Sequence, residues 1–224
     1  MFAMAQEMGL RERKKTQTRQ LISDVASGLF IVRGFDNVTV AEVAEAAGVS
    51  TKTVFNYFPR KEDLFLDRFP QAVELVTAAV RGRAEGETPL ASLRRLFVGL
   101  LEEGHPLGGI GAGYQHFWHV VAESPSLRAR AREFGEEMED VVAGLFAEAA
   151  EAAGHPPGDP RPRIAGALAV AAYRAAYLEG ARRIIAGEPA EDVRRDHIVL
   201  VGRTFDALEV AVASLYASPV RPVA

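Results

Sequence analysis

The chain has 224 residues, 48% hydrophobic and 25% charged, enough to bury a sizeable core as one domain or two small ones; the absence of cysteine excludes a disulfide framework, a thiolate metal site and a thiol nucleophile. The uncharged stretch Gly104 to Ala122 holds Pro106, three histidines and five glycines, too broken for a membrane span, and "MFAMAQEMGLRERKK" lacks a secretory apolar core, so a cytoplasmic location is expected. The net charge of −4 is uneven: residues 1–61 carry nine Lys and Arg, including all four lysines, against six acids, whereas residues 62–224 carry 17 basic and 24 acidic residues, the pattern of a polyanion-binding head on an acidic body.

Nearly every segment reads as helix, and no alternation lasts long enough for a strand. Ile22, Val25, Ala26 and Leu29 mark a first helix over about 12–33. Gly34 is expected as its left-handed end, with Phe35 packing back. Thr39 and Glu42 form a capping box for a two-turn second helix carrying Val40, Val43, Ala44 and Ala47. Gly48 supplies a positive-φ turn, and Ser50 caps a third helix through Phe58 that buries Val54 and Phe58 with Val49. Thr51, Lys52, Thr53, Phe55, Asn56 and Tyr57 are left pointing outward.

A fourth helix is predicted from Lys61, carrying Phe65, Phe69, Val73, Val76 and Val80, with Pro70 a point of kink or restart. Thr88-Pro89 opens a fifth, with Leu90, Leu93, Phe97 and Leu100 on one face. "GHPLGGIGAG" reads as a flexible turn, since it has neither the register nor the lysine of a phosphate-binding loop. An aromatic helix follows over about 112–122. A seventh runs from Ser124-Pro125 to about 153, an eighth from Asp159-Pro160 to about 186, and a ninth over about 192–216 with Ile198, Val201, Phe205, Leu208, Val212 and Leu215 in a stripe.

Two short helices across a glycine-containing turn, the second with polar and aromatic outward residues, make a helix-turn-helix whose second helix enters the DNA major groove. Lys52, Thr53 and Asn56 suit base edges and thymine methyls, while Thr51, Tyr57 and Lys61 suit phosphates. Lys61 adds its charge to the start of the fourth helix, and Thr39 is either a second anchor or a plain cap. With Ser50 and Phe55 these residues complete the expected DNA-contacting set.

Through "TVAEVAEAAGVSTKTVFNYFPRKEDLF", within residues 12–65, the chain resembles the TetR family of one-component transcriptional repressors. The resemblance implies an all-α protein of about nine helices, with a DNA-binding head over residues 1–60. A divergent helical domain over 61–224 would bind a small molecule, and the last two helices would form a homodimer. Two departures limit what carries over. Phe55 stands where the family usually has tyrosine, so a hydroxyl contact to phosphate is missing, and Asn56 replaces a frequent aromatic or basic residue, so the operator sequence is not transferable.

The later helices supply large side chains in quantity: Phe97, Tyr114, Phe117, Trp118, Phe134, Met138, Tyr173 and Tyr177. They suit an apolar effector cavity with polar tips, a well-packed core being the plain alternative. Arg174, between the tyrosines, is placed to meet the anionic end of a lipophilic ligand such as a fatty acid or acyl thioester, to pair with an acid, or to face water. His116 and His119 lack a third metal ligand, so no metal is expected, nor any cofactor. The leading function is a repressor binding a pseudo-palindromic operator as a homodimer and released by a small lipophilic effector. The alternatives are a DNA-binding helical dimer without effector and, last, a helical enzyme, although no catalytic set announces itself.

Overall fold

The computed structural model describes residues 9–111 and 113–217. Among them lie nine α-helices and no strand: α1 (Leu10–Arg33), α2 (Val40–Ala46), α3 (Thr51–Tyr57), α4 (Phe69–Arg81), α5 (Pro89–Glu102), α6 (Tyr114–Glu123), α7 (Pro125–Ala152), α8 (Arg161–Ile185) and α9 (Ala190–Ala217). Single 3₁₀ turns span Glu62–Leu64 and Pro106–Gly108. No helix among the described residues is long and apolar enough to cross a membrane. The chain forms two compact units, one reaching to Asp67 and including Val120–Arg130, the other made of Arg68–His119 and Ala131 onward.

In the first unit, Ile22, Ala26 and Phe30 of α1 close over Val43, Val54, Phe58 and Leu64, all essentially inaccessible. Gly34 ends α1 at φ 80° and ψ 148°, so the chain departs in an extended, glycine-specific conformation instead of the expected left-handed helical one. Phe35 does pack back, its ring 4.8 Å from that of Phe30. The Thr39–Glu42 capping box forms as read, and Gly48 turns at φ 66°. The fourth helix differs from expectation. Only the 3₁₀ turn follows Lys61, and α4 starts anew with Pro70 in its first turn. A helix running through Pro70 would lose a hydrogen bond and press the ring on a carbonyl, whereas in a first turn the missing N–H costs nothing.

The border between units also departs from a single cut at residue 60. The α6–α7 corner joins the first unit, with Leu127 fully buried and the Ser124 hydroxyl donating to Asp36 at 3.2 Å. Arg130 Nε donates to Asp63 at 2.8 Å, each side chain only 14% exposed. Pairings 67 residues apart in the chain leave no mark in local composition.

In the second unit α8 packs on α9, α9 on α5 and α5 on α4. Gly166 lets α8 approach α7 closely, since a Cβ there would sit 3.0 Å from the Ala143 backbone. Val201, Phe205 and Leu208 of the α9 stripe are buried within the subunit, Phe205 completely. The apolar surface that α8 and α9 expose is a different set: Ile164, Leu168, Leu178, Val199, Leu200 and Val210. Phe205→Ala should therefore lower unfolding free energy by about 3–5 kcal/mol. A urea midpoint that stays unchanged would contradict the packing described.

Candidate nucleic-acid interface and interior aromatic site

The α3 surface is built on its cap. Ser50 Oγ accepts the Thr53 N–H at 3.0 Å, and the two hydroxyls share a hydrogen bond at 2.8 Å. Below, Val54 and Phe58 are sealed; above, Thr51, Lys52, Phe55 and Asn56 are exposed, with Thr53 and Tyr57 half-buried. Phe55 leaves 48% of its surface in water, an apolar ring set among donors and a cation. That face offers an amide, hydroxyls, an ammonium and an aromatic edge within two helical turns, the equipment for base edges and thymine methyls.

Two expected anchors are engaged elsewhere. Lys61 Nζ donates to the Phe35 carbonyl at 2.6 Å and lies 4.2 Å from the centre of the Phe35 ring, and burial pushes its pKa down. It ties the α1–α2 connection, and no long helix starts at it. Thr39 uses its hydroxyl and its N–H on Glu42, as a plain cap does. Arg19 escaped the sequence reading: it lies over the Phe58 ring at 4.5 Å and donates to the Asp67 carbonyl at 3.1 Å, bracing α3 from beneath. A lone arginine in a polar stretch carries no signal of that role.

In the second unit, six of the nine residues read as an effector site form a continuous string of rings. Phe97 stacks on Tyr173 at 3.7 Å, Tyr173 meets Tyr177 at 5.9 Å, and Tyr177 meets Trp118 at 5.3 Å. Trp118 then meets Phe117 at 5.1 Å and Phe117 meets Tyr114 at 6.3 Å. Phe134 stacks on Phe69 at 4.0 Å, and Met138 is half-buried one turn further along α7. Arg174 is exposed, its stem beside Gly135 of α7.

Gly109, within the stretch read as a flexible turn, packs into this string. Trp118 Nε1 donates to the Gly109 carbonyl at 2.8 Å. Gly109 turns at φ 65°, and a Cβ there would lie 2.4 Å from the Tyr177 hydroxyl oxygen, so only glycine admits that tyrosine. Burial pushes the Tyr173 and Tyr177 hydroxyls above the usual phenol range. His116 is exposed and His119 half-buried, and no three metal-ligating side chains meet among the described residues.

Residues 22–67 match the profile of the bacterial regulatory proteins of the tetR family. The HTH-type transcriptional regulator TcmR of Streptomyces glaucescens is 33% identical over 62% of this chain and 63% of its own, short of two thirds of its length. The HTH-type transcriptional repressor LfrR of Mycolicibacterium smegmatis is 30% identical over 76% of this chain and 82% of its own. The chain belongs to the tetR family. Its fold is shared with NalD, the secondary repressor of the MexAB-OprM multidrug efflux pump in Pseudomonas aeruginosa, at a TM-score of 0.51, 21% identity, and coverage of 87% of this chain and 96% of that one. These relatives are transcriptional regulators by name, not enzymes.

The tetR-family head carries one acid-sensitive joint. Glu42 accepts the Thr39 N–H at 2.7 Å and pairs with Arg33 at 2.6 Å, which lowers its pKa from 4.5 to about 2. A depressed carboxylate stabilises the fold fully above its unfolded pKa and loses that contribution as pH falls through the folded one. Glu42→Gln should accordingly lessen the pH dependence of stability between 4.5 and about 2, measured by denaturant titration across that window. A dependence as steep as in the wild type would contradict this role.

Proposed function

We propose that the protein is a ligand-responsive repressor that holds a two-fold operator as a homodimer, α3 of each subunit in a major groove, and releases it when a small apolar molecule enters the aromatic site. The observation that carries the DNA-binding part is the α3 face itself: Thr51, Lys52, Phe55 and Asn56 exposed together over a sealed Val54 and Phe58. A large ring kept in water at the centre of a polar set is explained by a surface that covers it. Selection from random duplex DNA should return an inverted repeat, and Asn56→Ala should relax preference at one base pair per half-site, costing roughly 1–3 kcal/mol if its contact is bidentate. Recovery of unrelated sequences would overturn the reading.

For the dimer, Ile164, Leu168, Ala171, Ala175 and Leu178 are exposed on α8 at spacings of 4, 3, 4 and 3, a straight apolar seam that suits a second copy. Leu168→Glu should yield monomers in sedimentation that bind the selected site weakly, since each head covers half of it. A dimer of unchanged affinity would exclude this face. For release, α6 continues from Trp118 in the aromatic string to the buried Val120 and Val121 of the head unit, a covalent path besides α4 for a ligand-induced shift. Operator binding that ignores every ligand of the aromatic site would leave a dimeric DNA-binding protein without effector.

A further inference from the structure

A surface groove of about 580 Å³ runs between α5 and α9, within the second unit and lined by none of the rings of the aromatic string. Arg94 pairs with Asp206 at 3.0 Å and Arg194 reaches the Glu102 carbonyl at 3.5 Å, so the two helices run antiparallel. Val98, Ile198 and Val199 therefore make one half of the groove apolar, while Arg94, Arg95 and Arg203 gather in the other half with Glu87 and Asp206. Three guanidinium groups against two carboxylates leave one positive charge in excess, on a stretch of chain that is otherwise acidic. Arg95 holds Glu87 through both oxygens at 2.9 and 3.1 Å, and Glu87 also accepts the Ala84 N–H at 3.0 Å, which makes that pair a fixed wall. Arg94 and Asp206 are each about half exposed, so their pairing contributes little and exchanges readily. Arg203 is exposed, with no hydrogen bond or ion pair among the described residues. Beside it Gly202 leaves the floor open: a Cβ there would meet only Arg94 Nη2, at 3.8 Å.

We infer that this groove binds a small amphipathic monocarboxylate, its apolar body along Val98, Ile198 and Val199 and its head on Arg203 and Arg94. The site is separate from the α3 face and from the aromatic string, and the inference rests on neither. A carboxylate that meets Arg203 gains a charge-assisted hydrogen bond from a group that gives up no partner to make it. An uncharged molecule of the same shape keeps only the apolar contact, and a cation faces the surplus positive charge. A dianion such as a phosphate would meet Glu87 and Asp206 as well, which favours a single negative charge. Size follows from the helices. Ala91 to Val98 and Ile198 to Asp206 span about 10 and 12 Å at 1.5 Å per residue, room for one ring on a short chain and too little for a long acyl chain. The volume lies within the range of small-molecule sites.

Amide NMR spectra of the whole chain locate binding residue by residue, and three probes with one body separate the role of charge: phenylbutyrate, phenylbutanol and phenylbutylamine. Phenylbutyrate should shift the Gly202 and Arg203 signals saturably and leave the Trp118 indole N–H where it is. The alcohol and the amine should bind more weakly by roughly threefold or more, the range of an exposed ion pair. Arg203→Gln should weaken phenylbutyrate roughly threefold to fivefold and leave phenylbutanol unchanged. Since Arg203 has no partner in the fold, that variant keeps its structure, which an unchanged thermal midpoint would verify. Gly202→Leu should fill the floor and abolish binding of the acid and the alcohol alike. The inference is overturned if the alcohol binds as tightly as the acid, if Arg203→Gln binds phenylbutyrate like the wild type, or if phenylbutyrate moves no signal at the groove. Shifts confined to Trp118 and the rings around it would place the ligand in the interior and overturn it too. None of these readouts involves DNA, so a failure of the repressor reading would leave the groove standing, and an empty groove would leave the repressor reading intact.

Discussion

A helix of seven residues does not persist alone in water, because nucleation costs more than so few hydrogen bonds return. α3 exists because Val54 and Phe58 are sealed beneath it against α1 and α2, with Ser50 capping its first turn and Arg19 lying across the Phe58 ring. The exposure of Thr51, Lys52, Phe55 and Asn56 follows from that docking. Rotating the helix to bury Phe55 would expose Val54 and Phe58 and lose the cap. The surface proposed to meet DNA is therefore as rigid as the small core beneath it.

That core is held at its far side by charge. Arg130 and Asp63 meet where both are mostly desolvated, and Lys61 spends a hydrogen bond on the Phe35 carbonyl while lying against two aromatic rings. Pairs of this kind add little net stability but tolerate few alternative arrangements, because an unpartnered buried charge is expensive. They place the α6–α7 corner within the head and fix the turn between α1 and α2. Lys61 thus ties the α1–α2 connection to the rings beneath it.

The aromatic string is held together by ring packing. Phe97 on Tyr173 and Trp118 against Tyr177 are close contacts that a core would also make. Gly109 belongs to the same design, since its missing side chain makes room for the Tyr177 oxygen.

The amino-acid sequence alone determined the helical class, the capping box at Thr39, the turn at Gly48 and the outward set of α3, because each depends on spacing and neighbours within a few residues. It also pointed to the aromatic set, although not to its order. The tertiary structure alone decided which apolar stripe of α9 faces inward: two stripes share that helix, and periodicity cannot tell a neighbour in the same chain from one in a second copy. The same holds for Lys61 and Arg174. A long cation reaches several partners from one backbone position, and its choice depends on carbonyls and rings brought close by folding, Phe35 for the first and the α7 surface beside Gly135 for the second.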